Sequence, residues 1–234
     1  MAGQVVNGRA QSAAVAPLAA SAPRQIPEAT VARLATYLRV LTADAGRTVV
    51  SSTELAALAG VKPAGLRKDL SYLGSYGRRG VGYEVRTLVD QLRRALGAHQ
   101  AYRVALVGVG NLGQALAGYA GFAGRGFKVA ALLDTDPAKV GRTVGDLTVR
   151  DVADVEAVCR AEAITIAMIA VPEQAAQQVV DQLVRAGIRS ILNFAPGFLT
   201  VPSGVELRRV DLALELQILA FLQANAADIG EGKP

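Results

Sequence analysis

The apolar positions in the first third of the chain recur at helical spacing. In "PEATVARLATYLRVL" (27–41), apolar residues return every three or four positions between Val31 and Leu41, which predicts an amphipathic helix. Pro27 and Glu28 stand where proline and acidic residues favour the first turn of such a helix. The chain is therefore predicted to open its ordered part with one long helix.

Two further helices are predicted close behind the first. The segment "SSTELAALAG" predicts a second helix, with Ser51 or Ser52 as its N-cap and Gly60 as its stop. The segment "VKPAGLRKDLSYL" predicts a third helix, because Pro63 suits the first helical position. Only about three residues separate these two helices, so the chain must turn sharply. This arrangement is typical of a helix-turn-helix.

The third predicted helix separates apolar from basic residues. Leu66, Leu70 and Leu73 repeat at helical spacing and predict a core face, whereas the basic residues lie off that face. The glycine-rich "GSYGRRGVGYEV" that follows predicts a β-hairpin wing with two arginines at its tip. A recognition helix and a wing present such side chains to base edges and phosphates. The expected DNA contacts are Lys62, Arg67, Lys68, Ser71, Tyr72, Arg78 and Arg79.

A different pattern begins in the middle of the chain. The strand-like "YRVALVG" leads into a GxGxxG motif at 108–113 and then into a predicted helix. Glycines in this context let a dinucleotide pyrophosphate approach the backbone at the helix N-terminus. A second strand ends at Asp134, 26 residues after the first glycine, where a carboxylate binds the adenosine ribose and repels a 2′-phosphate. Asp136 is the alternative for that role, and Arg142 nearby weakens the exclusion of NADP.

Apolar strands and helices alternate in the remainder of the chain. Strands are predicted over 163–172 and 189–196, with the helix "EQAAQQVVDQLVRAG" between them. This alternation predicts an α/β fold with a doubly wound parallel sheet of the Rossmann type, whose strand ends line a ligand crevice. The residues expected to bind NAD(H) are Gly108, Val109, Gly110, Asn111, Leu112, Gly113, Asp134, Val171, Pro172, Asn193, Ala195 and Pro196.

The segment "VDLALELQILAFLQANAA" (210–227) carries apolar residues around most of a helical circumference. Such a helix must be buried on several sides. Burial within its own monomer is one alternative. Burial against a partner subunit, by exchange of the helix in a homodimer, is favoured because a two-fold dimer also matches the paired half-sites of a helix-turn-helix.

The charge of the chain is concentrated in its N-terminal part. The net charge is +5, and residues 24–97 hold twelve Lys and Arg against six Asp and Glu. Residues 98–234 hold twelve against fourteen, so a polyanion partner is expected only for the first part. The one cysteine, Cys159, fits a buried thiol in a reducing cytoplasm. No apolar run approaches the roughly 18 residues of a membrane span, and no metal site is expected.

The expected crevice lacks the groups that hydride-transfer chemistry needs. His99 precedes the first Rossmann strand, and no lysine after residue 98 stands at the carboxyl end of a predicted strand. The nucleotide is therefore interpreted as sensed rather than consumed, and the protein as no enzyme. Two alternatives remain: a small NAD-dependent oxidoreductase with a partner-binding helical N-terminal domain, and an NAD-binding structural subunit.

Several long motifs resemble those of the Rex redox-sensing transcriptional repressors, most closely the actinobacterial type. They are "LRKDLSYLGSYG", "RGVGY", "GVGNLGQALAGYAGF", "ILNFAP" and "VDLALELQILAF", and the resemblance covers about residues 25–224. It implies a winged helix joined to an NAD(H)-binding Rossmann domain in a homodimer with a domain-swapped C-terminal helix. It also implies that the protein binds operator DNA when NADH is scarce and releases it when NADH binds.

The resemblance also assigns roles to individual residues. Arg67 and Lys68 take the place of the pair that reads DNA. Arg39, Tyr119 and Asp211 take the place of the contact that links the two modules.

Two positions depart from the family's usual pattern. Arg78 stands where a small polar residue is usual, which favours stronger wing contacts, and Gly197-Phe198 stands where aliphatic residues are common, which alters the nicotinamide surroundings. The expected division is a disordered tail (1–24), a winged-helix DNA-binding domain (25–86), a linker helix (87–100), a Rossmann NAD(H)-binding domain (101–208), a C-terminal dimerisation helix (209–227) and a tail (228–234).

Overall fold

The computed structural model describes residues 26–44, 46–74 and 81–230, with side chains described to residue 225. The chain divides into two compact units, Met1–Leu96 and Gly97–Pro234. The tail expected at 1–24, the last four residues of the expected C-terminal tail, and the wing tip with Arg78 and Arg79 lie outside the described residues.

In its described part, the N-terminal unit consists of helices and a short antiparallel ribbon. The ribbon pairs Val49 with Glu84 and Val50 with Tyr83. The strand that returns from the wing segment therefore joins a strand that precedes the second helix. The elements are α1 (Glu28–Ala43), β1 (Val49–Val50), α2 (Ser52–Leu58), α3 (Pro63–Ser71), β2 (Tyr83–Glu84) and α4 (Val85–Ala95).

Local capping explains where α2 and α3 begin. Ser51 is the N-cap of α2: its hydroxyl accepts a hydrogen bond from the N–H of Glu54, and the Glu54 carboxylate accepts one from the N–H of Ser51. The second of these bonds holds the pKa of the Glu54 carboxyl below its usual value. Pro63 is the first residue of α3. Both starts confirm the prediction and fix the short link of a helix-turn-helix.

The four helices of this unit share one apolar core. Leu34, Leu55, Leu66 and Leu92 are wholly buried, each from a different helix. The helix expected as a linker over 87–100 begins earlier than expected, at Val85, and its buried face belongs to this core. The chain accordingly divides after that helix rather than before it.

The C-terminal unit contains the alternating strands and helices that the sequence predicts, together with short strands that it does not reveal. Its elements are β3 (Tyr102–Val107), α5 (Asn111–Ala117), β4 (Phe127–Asp134), β5 (Thr143–Val144), β6 (Leu147–Asp151), α6 (Val155–Ala161), β7 (Ile166–Ile169), α7 (Glu173–Arg185), β8 (Ser190–Asn193), β9 (Glu206–Arg209) and α8 (Leu212–Gly230).

These strands form one seven-stranded sheet in the order β5-β6-β4-β3-β7-β8-β9. All neighbours are parallel except β5 and β6. From β3 the chain first moves outward through β4 to β6, and then returns to the other side of β3 with β7. This reversal is the topological switch point of a doubly wound fold, and it places the carboxyl ends of β3, β4 and β7 around one crevice. The predicted Rossmann architecture is confirmed.

The last helix, α8, is not covered by its own chain. Every described side chain from 211 to 225 is exposed, and the exposed fraction is 45% for Ile218 and 67% for Phe221. The structure therefore contradicts burial of this helix within its own monomer. Despite its apolar character, neither α8 nor another helix in the described ranges is long and apolar enough to cross a membrane.

Candidate functional site

The glycine motif forms a tight turn between β3 and α5. Gly108 has a φ of +94°, a conformation that side-chain-bearing residues rarely adopt, and a Cβ there would overlap the carbonyl of Ala170. A Cβ on Gly113 would overlap the carbonyl oxygen of Gly108, so this glycine lets α5 pack closely on the turn. Around Gly110, by contrast, no atom lies within 4 Å of a Cβ position. The turn is therefore closed toward the protein and open at its middle glycine.

Asp134, at the end of β4, forms a hydrogen bond with the backbone of this turn. One carboxylate oxygen accepts hydrogen bonds from the N–H of Val109 at 2.7 Å and from the Lys139 ammonium at 3.1 Å. The other accepts one from the N–H of Asp136 at 2.9 Å. Burial opposes ionisation, but these donors together hold the pKa of the Asp134 carboxyl below its usual value. Asp134 is thus an ionised carboxylate that accepts three hydrogen bonds next to the glycine turn.

A cavity of about 210 Å³ opens beside this turn. One wall comes from the loop after β4 and carries Asp134, Asp136 and Lys139. The opposite wall comes from the end of β7 and the start of α7, and is apolar there. The residues that line the whole cavity are Val107, Gly108, Gly110, Asp134, Thr135, Asp136, Lys139, Val152, Ala170, Val171, Pro172, Ala175 and Val179.

The cavity gathers only part of the predicted nucleotide set. Gly108, Gly110, Asp134, Val171 and Pro172 line it, whereas Val109, Asn111, Leu112, Gly113, Asn193, Ala195 and Pro196 do not. Thr135, Lys139 and Ala175 are additions that the sequence analysis missed. Thr135 directly follows the strand end at Asp134, so the sequence could have indicated it, whereas Lys139 and Ala175 lie farther beyond the ends of β4 and β7.

Asn193 has a local structural role in the described chain. Its side chain is wholly buried, donates to the carbonyl of Ala195 at 3.0 Å and accepts from the N–H of the same residue at 3.0 Å. Farther along this segment, the Phe198 ring is 93% exposed, and the Arg209 guanidinium lies 4.5 Å from its centroid. The departure Gly197-Phe198 therefore presents an aromatic ring at the surface of this unit.

In the N-terminal unit, the predicted DNA-contacting residues that the structure describes lie on α3 or at its two ends. Lys62, Arg67, Lys68 and Ser71 are exposed, and Tyr72 is half-buried. The Arg67 guanidinium donates to the Ser52 hydroxyl at 3.2 Å, at the first residue of α2. The predicted core face is found as expected, since Leu66 and Leu70 are buried and Leu73 packs against the same core.

The back of α3 carries a buried charge that the sequence analysis did not single out. Asp69 is 2% exposed, and the Arg33 side chain of α1 donates to both of its oxygens at 2.7 Å. The hydroxyls of Tyr37 and Thr30 donate to it at 2.8 and 3.2 Å. The bonds from Arg33 hold the pKa of the Asp69 carboxyl below its usual value, while burial and the bond to Asp69 raise the pKa of Tyr37 to about 12.

The three residues expected to link the modules are exposed in their own units. Arg39 lies on α1 of the N-terminal unit. In the C-terminal unit, the Tyr119 ring meets Phe122 edge-on, and an Asp211 oxygen accepts from the N–H of Leu214 in the first turn of α8. Their joint role stays a prediction.

Neither His99 nor Cys159 is among the residues that line the cavity, where the titratable side chains are Asp134, Asp136 and Lys139. His99 is exposed beside Gln100, away from the cavity. Cys159 is buried, and burial raises the pKa of its thiol. Within the described ranges, no three His, Cys, Asp or Glu residues are grouped so as to hold a metal ion.

Two family models match the chain, one in each unit. The model of a putative DNA-binding protein N-terminus matches residues 25–71. The CoA binding domain model matches residues 99–197, which contain the glycine turn and the cavity.

Relatives match nearly the whole chain. It is 58% identical over 210 residues to the redox-sensing transcriptional repressor Rex of Streptomyces avermitilis, covering 89% of this chain and 83% of that protein. It is 48% identical over 200 residues to Rex of Desulfitobacterium hafniense, covering 84% of this chain and 95% of that protein.

Solved structures of RSP, a Rex-family repressor, have the same fold. RSP in complex with β-NAD⁺ and operator DNA gives a TM-score of 0.81 at 34% identity, over 89% of this chain and 99% of that chain. RSP in complex with β-NADH gives 0.81 at 33% identity, over the same shares. Because relatives that are 48% and 58% identical cover 84% and 89% of it, this chain belongs to the Rex family of redox-sensing transcriptional repressors.

Proposed function

We propose that this protein is a homodimeric repressor that binds operator DNA through its N-terminal unit and releases the DNA when NADH binds its C-terminal unit. Members of the Rex family are transcriptional repressors, so the chain is not an oxidoreductase. One observation carries the proposal: a single chain of this family holds both a glycine-turn cavity and a helix-turn-helix with an exposed basic face. RSP, solved with NAD⁺ and operator DNA and with NADH, supports both ligands.

The residues of the cavity fit a dinucleotide. Gly110 leaves room for a pyrophosphate to approach the backbone N–H groups that open α5. On the β4 side, the carboxylates of Asp134 and Asp136 suit ribose hydroxyls and disfavour a 2′-phosphate. NAD(H) is therefore favoured over its 2′-phosphorylated form and over coenzyme A, whose ribose carries a phosphate.

The apolar side of the cavity supports a preference for the reduced form. Ala170, Val171, Pro172 and Ala175 carry no charge that would offset a buried cation. The oxidised nicotinamide is a cation and the reduced one is neutral. Because burying an unpaired charge is costly, this wall favours NADH.

The exposed apolar residues of α8 support a homodimer. A helix with large apolar side chains half or more exposed is unstable in water unless another surface covers it. A second copy of the chain provides that surface when the two copies exchange α8. We assign α8 as the dimerisation helix, residues up to Leu96 as the DNA-binding domain and the following residues as the Rossmann domain. We propose the cytoplasm as the place of action.

The response requires a coupling between the two units. Arg39 reaching Tyr119 or Asp211 in only one state would link the position of α1 to the state of the C-terminal unit. To move a two-state equilibrium from 1:99 to 99:1, NADH must favour one state by about 5.5 kcal/mol. A static ion pair contributes less than about 1 kcal/mol and would not switch anything. If the Asp211→Ala variant releases operator DNA normally with NADH, this link is absent.

A gel shift on genomic fragments tests the proposed function. We expect retention of specific fragments by the protein alone and with NAD⁺, and release with NADH. Coenzyme A at the same concentration serves as the control nucleotide and should release nothing. Retention of no fragment, or release that is identical with NADH and NAD⁺, would contradict the proposal.

A further inference from the structure

Consecutive residues of α3 face opposite sides of the helix. Arg67 and Lys68 are exposed, whereas Asp69 is 2% exposed. An isolated buried carboxylate would cost several kcal/mol, so its retention on this helix requires partners. The side chains that donate hydrogen bonds to the Asp69 carboxylate all lie on α1.

The partners of Asp69 form a clamp with a defined geometry. Arg33 donates through two different nitrogens to the two carboxylate oxygens, each at 2.7 Å, which is a bidentate pair. Tyr37 donates to one oxygen at 2.8 Å and Thr30 to the other at 3.2 Å. The Arg33 Nη2 atom that bonds Asp69 also donates to the Thr30 hydroxyl at 3.1 Å and closes the network. Each Asp69 oxygen therefore accepts one hydrogen bond from Arg33 and one from a hydroxyl.

Apolar contacts alone do not supply this directionality. Leu66 and Leu70 fill the core on the same side of α3, but leucine side chains tolerate small rotations and shifts of a helix. Hydrogen bonds to both oxygens of one carboxylate resist such rotation, because their strength falls steeply with angle. Groups that read a ligand must be held to about 0.5 Å, which makes the rotation of α3 decisive for recognition.

We propose that Asp69 is a positioning residue for DNA recognition: Arg33, Tyr37 and Thr30 use it to fix the rotation of α3, so that Arg67 and Lys68 meet base edges. The inference rests on the proposed DNA-binding function. It differs from a role in stability, because an apolar replacement of a buried ion pair is often neutral or stabilising. Replacing the whole clamp by apolar side chains is therefore expected to reduce sequence discrimination more than the stability of the fold.

The test uses full-length protein and two DNA duplexes. One carries the sequence that the wild-type protein selects from a random library, and the other is a shuffled duplex of the same length and composition. The main variant is Arg33→Leu/Tyr37→Phe/Asp69→Leu, which removes one cation and one anion and so keeps the net charge at +5. The matched control is Asp90→Gln/Arg93→Gln, which removes an exposed ion pair (N–O 4.0 Å) from α4 of the same unit.

We expect the main variant to keep the wild-type affinity for NADH and for the shuffled duplex. Its ratio of selected to shuffled affinity should fall about 10-fold or more, because the base contacts lose their register. The control should keep the wild-type ratio. A main variant with unchanged thermal midpoint and unchanged ratio overturns the proposal, and so do equal losses on both duplexes.

Arg33→Lys provides a second test if the main variant fails to fold. The Arg33 side chain is 40% exposed, so a lysine can keep the charge without straining the core, but it cannot make the bidentate pair. We expect a smaller loss of discrimination with unchanged binding of the shuffled duplex, and an unchanged ratio would overturn the proposal. If the wild-type protein itself selects no sequence, the proposed DNA-binding function fails instead.

Discussion

Asp69 and Asp134 are both buried carboxylates with a basic side chain beside them, but they are held by different kinds of donor. Asp69, 2% exposed, is bound only by side chains, from residues 32 to 39 positions earlier. Asp134, 6% exposed, is bound by two backbone N–H groups as well as by Lys139. Side-chain donors join two helices, whereas backbone donors fix the shape of a loop.

The difference has a consequence for how each site responds to change. The hydroxyls of Tyr37 and Thr30 can rotate and accept a hydrogen bond where they now donate one. The N–H groups of Val109 and Asp136 have one direction, set by the backbone. The hydroxyl donors of Asp69 can therefore reverse toward an amide in its place, whereas the backbone donors of Asp134 cannot.

The largest effect is expected at Gly113, where α5 packs closely on the glycine turn. Gly113→Ala places a Cβ against the carbonyl oxygen of Gly108, so α5 must move away and the turn must open. We expect NADH binding to be lost and the free energy of unfolding to fall by about 3 kcal/mol. Gly110→Ala is the matched control. Its Cβ meets no protein atom within 4 Å, so NADH binding should weaken while the stability of the protein is kept.

The second prediction compares the two carboxylates directly. Asp134→Asn turns an amide NH₂ toward a backbone N–H in either orientation, so we expect about 2–3 kcal/mol of destabilisation. Asp69→Asn should cost about 1 kcal/mol, because hydroxyls can reverse and Arg33 can move toward solvent. Denaturant unfolding of both variants measures the difference. Equal costs, or a larger cost for Asp69→Asn, would contradict the distinction between side-chain and backbone donors.

Lowering the pH should destabilise the protein by protonating both carboxylates. The pKa of Asp69 and that of Asp134 lie below the usual value in the folded protein. Their contribution to stability is therefore complete above the unfolded-state value of about 3.9 and is lost as pH falls through the folded-state values. The free energy of unfolding of the wild type should decrease over that range, and the decrease should be shallower in Asp69→Asn. An acid limb of the same slope in the variant would show that Asp69 is not engaged.

The smallest effect is expected at alkaline pH. Tyr37 has a pKa raised to about 12, so its contribution to stability is complete below the ordinary value of about 10 and is lost as pH rises through about 12. The Tyr37 phenol should titrate late in a phenolate absorbance curve. Tyr37→Phe should remove that late step. If the wild-type and variant curves differ only near the ordinary pKa of about 10, the raised pKa of Tyr37 is contradicted.

The same contrast marks what the sequence could predict. Ser51 and Pro63 act through neighbours in the chain, and the motif glycines follow from the strand-turn-helix pattern, although Gly108 also lies against the distant Ala170. The Asp69 clamp joins residues more than thirty positions apart, and no local signal connects Arg33 with Asp69. Long-range pairing of polar residues is therefore the part of the N-terminal unit that sequence patterns do not reveal.

Within the C-terminal unit, the missed elements are short or polar. β6 and β9 read "LTVRD" and "ELRR", and they lie toward the two edges of the sheet, where few positions need to be apolar. Asp134 was predicted to meet the ribose, and its position at the cavity agrees with that, but its hydrogen bonds to the glycine turn depend on tertiary contact. The contribution of Asn193 to nucleotide binding stays a prediction, as does that of the wing arginines.

The most direct test of the account is a paired titration of the full-length protein with NADH and with the operator duplex. DNA anisotropy gives the operator affinity at several NADH concentrations, and nicotinamide fluorescence gives the NADH affinity at several operator concentrations. Because linkage is reciprocal, we predict that each ligand weakens the other by the same factor. Independent binding of NADH and operator DNA would contradict the central claim.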